Sequence, residues 1–295
     1  LSRFETDGWH ETLQNREIVG FGLNITFEME GIFLSNWKHI LCEQGEGWAL
    51  LTLTRPKVLN ALSREVLMEL DAAIDWVEQN DAVRVLIVTG AGEKAFVAGA
   101  DIAELSQIAS SEEAERTASY GQRVFARLEE LEKPVIMAIN GFALGGGMEL
   151  AMCGDILLAS ANARFGQPEI NLGVIPGYGG TQRLSRLVGR QMAKYLCMTG
   201  EMLSADEAVR CGIVQKVVPQ EALLEEAKRL AETLVKKAPI ALKYIKKAIH
   251  NGIDIDLPTG LKLEASYFGL TFDTHDRKEG MDAFLEKRAP RFTGK

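Results

Sequence analysis

Apolar positions along the middle of the chain follow two different periods. Short, nearly continuous apolar runs at 48–54 (WALLTLT), 85–89 (VLIVT), 135–139 (VIMAI) and 155–159 (DILLA) read as strands, and 213–218 predicts one more. Between them apolar residues recur at helical spacing. Val66, Leu67, Leu70, Ile74 and Val77 follow a capping Ser63, and 104–131 is mostly helical with a capping-box pattern at Ser110 and Glu113. A second box, Ser204 with Glu207, opens a helix before the last strand. Strands alternating with helices predict an α/β layer structure around a mainly parallel sheet. From Glu221 the pattern is almost wholly helical, through Leu223, Leu224, Ala227, Leu230 and Leu234 and again over 261–285. With no strand left to cover, this tail is expected to pack on the α/β body or on another subunit.

Composition narrows the function classes. The 295 residues are 46% apolar and 25% charged, ordinary for a soluble globular protein, and long enough for two domains or one large α/β unit with an appended element. Lys and Arg total 33 against 41 Asp and Glu, a formal charge of −8, which argues against nucleic acid or an anionic membrane as the main partner. A small anionic ligand stays open, because a few local donors suffice to hold it. Cys42, Cys153, Cys197 and Cys211 contain no CxxC pair, and the four histidines show no metal-ligand spacing. These features predict a reducing, cytoplasmic setting and no metal. The apolar stretch 135–148 is too short to span a bilayer and carries Asn140. Residues 1–36 are acidic, without sustained apolar periodicity, and are expected to form a poorly ordered extension; they lack the basic character of a transit or signal peptide.

Three glycine-rich clusters carry the candidate chemistry. The first, Gly90-Ala91-Gly92-Glu93-Lys94-Ala95, matches a dinucleotide-binding GxGxxA pattern, but residues 96–101 continue glycine- and alanine-rich instead of opening a long helix, and no second strand ends in an acid about 20 residues on. The second, 140–150 (NGFALGGGMEL), puts three glycines between a strand and an apolar helix, so that N–H groups approach a ligand closely; Glu149 sits in the first turn, where a lone acid is often only a dipole partner. The third, 165–170 and 173–183, holds Glu169 after Pro168, with glycines such as Gly177 thinning the adjacent wall. Glu149 and Glu169 flank the same predicted strand, and paired carboxylates divide acid and base work. Gly99-Ala100 and Gly145-Gly146 both follow predicted parallel strands, so their N–H groups lie at one sheet edge and can clamp one carbonyl oxygen.

The segments RPKVLNAL (55–62), AFVAGADI (95–102), KPVIMAINGFALGGGMELAMCGDI (133–156), FGQPEINLGVIPGYGGTQRL (165–184) and GMDAFLEKRAP (280–290) make the chain resemble the crotonase, or enoyl-CoA hydratase, family from residue 37 to 292. The resemblance implies an α/β spiral of ββα repeats over 37–230 and a C-terminal helical trimerisation region over 231–295, assembled as a homotrimer or a hexamer built as a dimer of trimers. It implies an oxyanion hole from the N–H groups of Ala100 and Gly146, with Glu149 deprotonating water and Glu169 delivering a proton. Coenzyme A contacts are implied at Lys57, Val58, Ala61, Ala98, Asp101 and Ile102, and at Lys287 from an adjacent subunit. Gly177 joins the substrate-binding set, and the acyl pocket draws on the helical stretch after Asp101. The implied activity is syn addition of water to 2-trans-enoyl-CoA thioesters in fatty acid metabolism, with the thioester as substrate and no separate cofactor. The apolar surroundings of Glu149 and the like charge of its neighbour are expected to raise at least one carboxyl pKa. An enoyl-CoA isomerase of the same scaffold needs only one acid, and a non-catalytic acyl-CoA or RNA-binding module would rest on the lysine-rich segment Lys236, Lys237, Lys243, Lys246 and Lys247, which otherwise reads as a solvated helix face.

Overall fold

The computed structural model of the chain describes residues 37–295 and, ahead of them, the backbone of two strands. These are β1 (Ile25–Glu28) and β2 (Gly31–Leu34), which pair antiparallel; β2 then pairs with β3 (Ile40–Gln44) and β3 with β4 (Trp48–Leu53). The rest of the expected leader lies outside the described residues. After β4 comes α1 (Arg64–Gln79), closed as predicted by Ser63, whose hydroxyl accepts from Val66 N–H.

The chain then repeats one pattern. A first pass runs through β5 (Val85–Gly90), β6 (Ala95–Val97), α2 (Ile102–Leu105) and α3 (Ser111–Glu130). A second runs through β7 (Val135–Ile139), β8 (Phe142–Leu144) and α4 (Gly146–Ala151), and a third through β9 (Ile156–Ser160), β10 (Arg164–Gly166), α5 (Gly180–Val188) and α6 (Arg190–Thr199). Each pass puts one long strand in the main sheet, a three-residue strand in a second sheet, and returns as helix: the ββα spiral. β11 (Met202–Ser204), α7 (Ala205–Arg210) and β12 (Lys216–Val218) complete the two sheets. The main sheet runs β1-β2-β3-β4-β5-β7-β9-β12, parallel from β4 onward, and the second β11-β10-β8-β6, parallel except for β11.

Every residue of β5 and β7 is buried because both faces are covered. Leu86, Val88, Met137 and Ile139 join the core with Leu70, Ile74 and Phe125, whereas Val85, Ile87, Ile136 and Ala138 meet Leu223, Ala227 and Ala231 of α8 (Leu223–Val235). That alternation is the period of a strand, hidden in the sequence because both sides are apolar.

Three local expectations shift. The strand expected at 213–218 is only Lys216–Val218, since Ile213 N–H donates to Ala208 O and both Ile213 and Val214 turn into the core behind α7. The strand expected at 155–159 starts one residue later, because the Asp155 carboxylate turns back to accept from Val135 N–H at 2.7 Å. Ser110 caps α3, but the Glu113 carboxylate takes Ala109 N–H rather than Ser110 N–H, whereas Ser204 and Glu207 form the full reciprocal box. The second sheet escapes the periodicity altogether, its three-residue strands being too short to carry a period.

The last helices, α9 (Pro239–Gly252), α10 (Leu257–Thr271) and α11 (His275–Leu285), bury only Asp276 and Ala283 of their own residues. Phe268, Ile253 and Phe284 stay 65%, 72% and 83% exposed. In the lysine-rich stretch, Lys243 and Lys247 both pair with Glu132, and Lys246 pairs with Asp155, so these cations anchor α9 to the body instead of forming a free basic face.

Candidate active site

Two main-chain donors meet where the second sheet ends. β6 and β8 run parallel with Val97 opposite Ala143, so the residues after them, including Ala100 and Gly146, emerge on the same edge. Ala100 bridges Leu62, and Leu62 makes both bonds: its N–H donates to Gly99 O at 2.9 Å and its carbonyl accepts from Asp101 N–H at 2.8 Å. In a parallel bridge that geometry turns the N–H of Ala100 away from Leu62. Gly146 is the first residue of α4, so its N–H has no carbonyl four residues back to receive it. Among the described residues neither N–H donates to a protein acceptor. A Cβ on Gly146 would lie 3.4 Å from Ala100 N, so the donors are neighbours. The approach depends on Gly147, where a Cβ would stand 1.9 Å from Val97 O. Two free, adjacent N–H groups at a helix N-terminus stabilise negative charge on one oxygen.

Glu149 projects from the first turn of α4 and is 1% exposed. One carboxylate oxygen, Oε1, accepts from Tyr178 N–H at 2.8 Å and Gly180 N–H at 2.6 Å, which fixes its direction. Burial pushes its pKa up, while those two bonds and the positive charge of Arg183 work in the opposite direction.

Glu169 lies in the short 3-10 turn Pro168–Leu172 that follows β10, and is half-buried. A Cβ on Gly145 would fall 2.9 Å from Glu169 Oε1 and 3.8 Å from Gly99 Cα, so this carboxyl borders the loops that carry both donors. Gly145 has φ 51°, a left-handed value that glycine adopts without strain, so a side chain there is opposed by backbone and space alike. Burial, and then the negative charge of Glu149, raise the Glu169 pKa to about 7. Gln167, fully buried, reaches both Glu169 oxygens with its amide nitrogen, at 2.9 and 3.1 Å, when the amide is turned to satisfy its neighbours.

Ala100 and Asp101 line a cavity of about 820 Å³ that also takes in Leu62, Met68, Leu105, Ile108, Tyr120 and Tyr178. Its wall includes the stretch after Asp101 expected to form the acyl pocket. Lys57, Val58 and Ile102 are exposed, and Ala61, Ala98 and Gly177 partly so. The Asp101 carboxylate is engaged, pairing with Arg55 at 3.0 Å and capping α2 through Ala103 N–H. Gly177 offers its carbonyl to Gln122 at 2.8 Å. Lys287, exposed just after α11 with φ 56°, is not among the residues lining this cavity.

The structure thus brings Ala100, Gly146, Glu149 and Glu169 together. Sequence reasoning missed Tyr178, Gly180 and Gln167, which frame the carboxylates. The sequence signal here is only the glycine content of 177–180; Gly179 has φ 112°, a conformation that glycine adopts without strain. Tyr178 itself is wedged edge-on against Phe125, its ring 5.5 Å away, and over Gly121, where a Cβ would lie 2.4 Å from the ring.

Comparison with known proteins agrees with this arrangement. Residues 43–295 match the enoyl-CoA hydratase/isomerase family. The chain is 49% identical over 259 residues to a crotonyl-CoA hydratase of Syntrophomonas wolfei, covering 88% of this chain and 99% of that protein. It is 51% identical over 250 residues to a short-chain-enoyl-CoA hydratase of Clostridium acetobutylicum, covering 85% and 95%. The crystal structure of an enoyl-CoA hydratase from Bacillus anthracis superimposes with a TM-score of 0.84 at 41% identity, over 88% of this chain and all of that one. With the family matched across both the spiral and the C-terminal helices, and relatives near half identity along nearly their whole length, the chain belongs to the enoyl-CoA hydratase/isomerase family.

Proposed function

We propose that this protein is an enoyl-CoA hydratase acting on short 2-trans-enoyl-CoA thioesters, and equally a 3-hydroxyacyl-CoA dehydratase. The observation that carries the reading is the contrast between two carboxyl groups beside one donor pair: Glu149 clamped by N–H groups, Glu169 held near neutrality at about 7. Names of the relatives at about half identity support the same activity and a short acyl chain.

In this mechanism the N–H groups of Ala100 and Gly146 hold the thioester oxygen and make C3 electrophilic. Glu149, ionised, takes a proton from water as its oxygen bonds to C3. The C2=C3 electrons move toward the thioester oxygen as an enolate, and protonated Glu169 delivers a proton to C2. Both groups serve one face of the alkene, giving syn addition. Loss of the Glu149 proton and reprotonation of Glu169 through solvent restore the start. The Coenzyme A thioester is the substrate and no separate cofactor is required; Lys57, Val58, Ala61, Ala98, Asp101, Ile102 and Gly177 are assigned to substrate binding, and Lys287 to the ligand of an adjacent subunit. Apolar side chains exposed on α9 to α11 support assembly as a homotrimer or hexamer. No helix among the described residues is long and apolar enough to cross a membrane, and the four free cysteines favour a cytoplasmic location.

The test is loss of the conjugated-thioester ultraviolet absorbance when crotonyl-CoA is mixed with the protein. The expected result is rapid loss with wild type and very slow loss with Glu149→Gln or Glu169→Gln. No change with crotonyl-CoA or longer enoyl-CoAs overturns the reading; so does a Gln variant at full rate for the role of that residue.

A further inference from the structure

The frame that holds Glu149 is itself held from behind by a partly buried ion pair. Arg183, on the first turn of α5, is 16% exposed and directs Nε and Nη2 at one oxygen of Glu129 on α3, at 2.8 and 2.7 Å. Its third nitrogen, Nη1, donates to Tyr178 O at 2.9 Å. The same Tyr178 contributes, from its other side, the N–H that reaches Glu149. Between them Gly179 leaves room for the guanidinium, since a Cβ there would lie 2.2 Å from Nη1. The residues therefore form one line: Glu129 carboxylate, Arg183 guanidinium, Tyr178 peptide, Glu149 carboxylate.

We propose that Arg183, anchored by Glu129, is a positioning residue that fixes the Tyr178–Gly180 backbone and so keeps Glu149 aimed, its charge favouring the ionised carboxyl. The planar fork fits the task, with two nitrogens on the carboxylate and the third free for the carbonyl; a lysine cannot divide itself this way. All three guanidinium nitrogens are engaged, two by Glu129 and one by Tyr178 O, so Arg183 reaches Glu149 through the Tyr178 peptide. The groups that face this line are Glu169, Tyr178 and Cys153 around Glu149, Cys197 on α6 within its field, and His250 of α9 at 4.0 Å from Glu129. Arg183 is the cation among those acting on Glu149.

The proposal rests on Glu149 being the catalytic base, and the experiment separates the two. Infrared difference titration reads the ionisation of Glu149 directly, its band identified by its loss in Glu149→Gln, while crotonyl-CoA hydration is measured across the same pH range. In Arg183→Gln the Glu149 titration is expected to rise by about one pH unit, lowering kcat about tenfold on the acid side and converging toward wild type at higher pH, with KM little changed. Arg183→Lys keeps the charge and guards against a folding defect in the Gln variant; it is expected to shift the titration upward by less. An unmoved Glu149 titration in the folded Gln variant, or in the Lys variant if only that folds, overturns the proposal. A moved titration with an unmoved acid limb supports the positioning role and instead refutes Glu149 as the base.

Discussion

Glu149 and Glu169 are the same side chain in two loops, and the two loops treat it differently. The Glu149 loop buries the carboxyl almost completely, which raises its pKa, then opposes that with two main-chain N–H bonds and a nearby guanidinium. The Glu169 loop leaves the carboxyl half-buried, with the Gln167 side-chain amide as its neighbouring donor in place of two clamping main-chain N–H groups and, among the described residues, no cation beside it, and adds the repulsion of Glu149 to the cost of burial. Burial alone therefore does not assign a role. The proposed division into base and acid rests on what surrounds each carboxyl, main-chain N–H donors and a cation around Glu149, a side-chain amide and a like charge around Glu169.

The contrast is broken most directly by neutralising each carboxyl. Glu149→Gln and Glu169→Gln are each expected to lower kcat by about 10²- to 10⁴-fold while leaving the circular dichroism spectrum unchanged. A far smaller loss in one of them would show that hydration uses a single acid, as an isomerase does. Next in size is the main-chain half. Ala100→Pro removes one donor that neither hydrogen bond of the Leu62 bridge uses, and a fall of about 10²- to 10³-fold in kcat is expected. Retained turnover would mean that Gly146 alone suffices.

The pH profile sharpens the comparison with a smaller effect. Glu169 has to be protonated to act as acid, so the hydration rate of wild type is expected to fall as pH rises through about 7. The residual activity of Glu169→Gln should lack that limb. Stability carries the smallest signature, and its sign follows from the same shift. A carboxyl whose folded pKa is raised binds more protons folded than unfolded between its ordinary pKa and about 7, so its contribution weakens stability as pH rises across that window. Glu169→Gln is therefore expected to raise Tm relative to wild type at pH 8 and not at pH 4, by thermal denaturation followed at both pH values. A variant less stable at pH 8 would show that the ionised Glu169 is held by favourable contacts.

Much of this was legible in the residues. The apolar runs at 85–89 and 135–139 gave two central strands, Ser63 and the Ser204 box marked helix starts, and the glycine clusters after the strands pointed to main-chain donors at one edge. The second sheet was not legible, because strands of three residues such as Phe142–Leu144 are held by their partners rather than by a pattern of their own. Nor was the frame around Glu149, since Tyr178 and Gly180 lie some thirty residues away and act through peptide N–H groups that every residue type carries.

By itself the sequence determined the long strands and the helices, the positions where glycine lets backbone come close, and the two acidic residues available for chemistry. The tertiary structure alone decided that the N–H groups of Ala100 and Gly146 have no other acceptor among the described residues, and that two main-chain N–H groups clamp Glu149 while burial and a like charge raise the pKa of Glu169. The physical reason is that element formation follows local periodicity and capping, which neighbours in sequence fix. Hydrogen-bond satisfaction and pKa depend on desolvation and charges brought together from distant segments, and only the folded chain sets those.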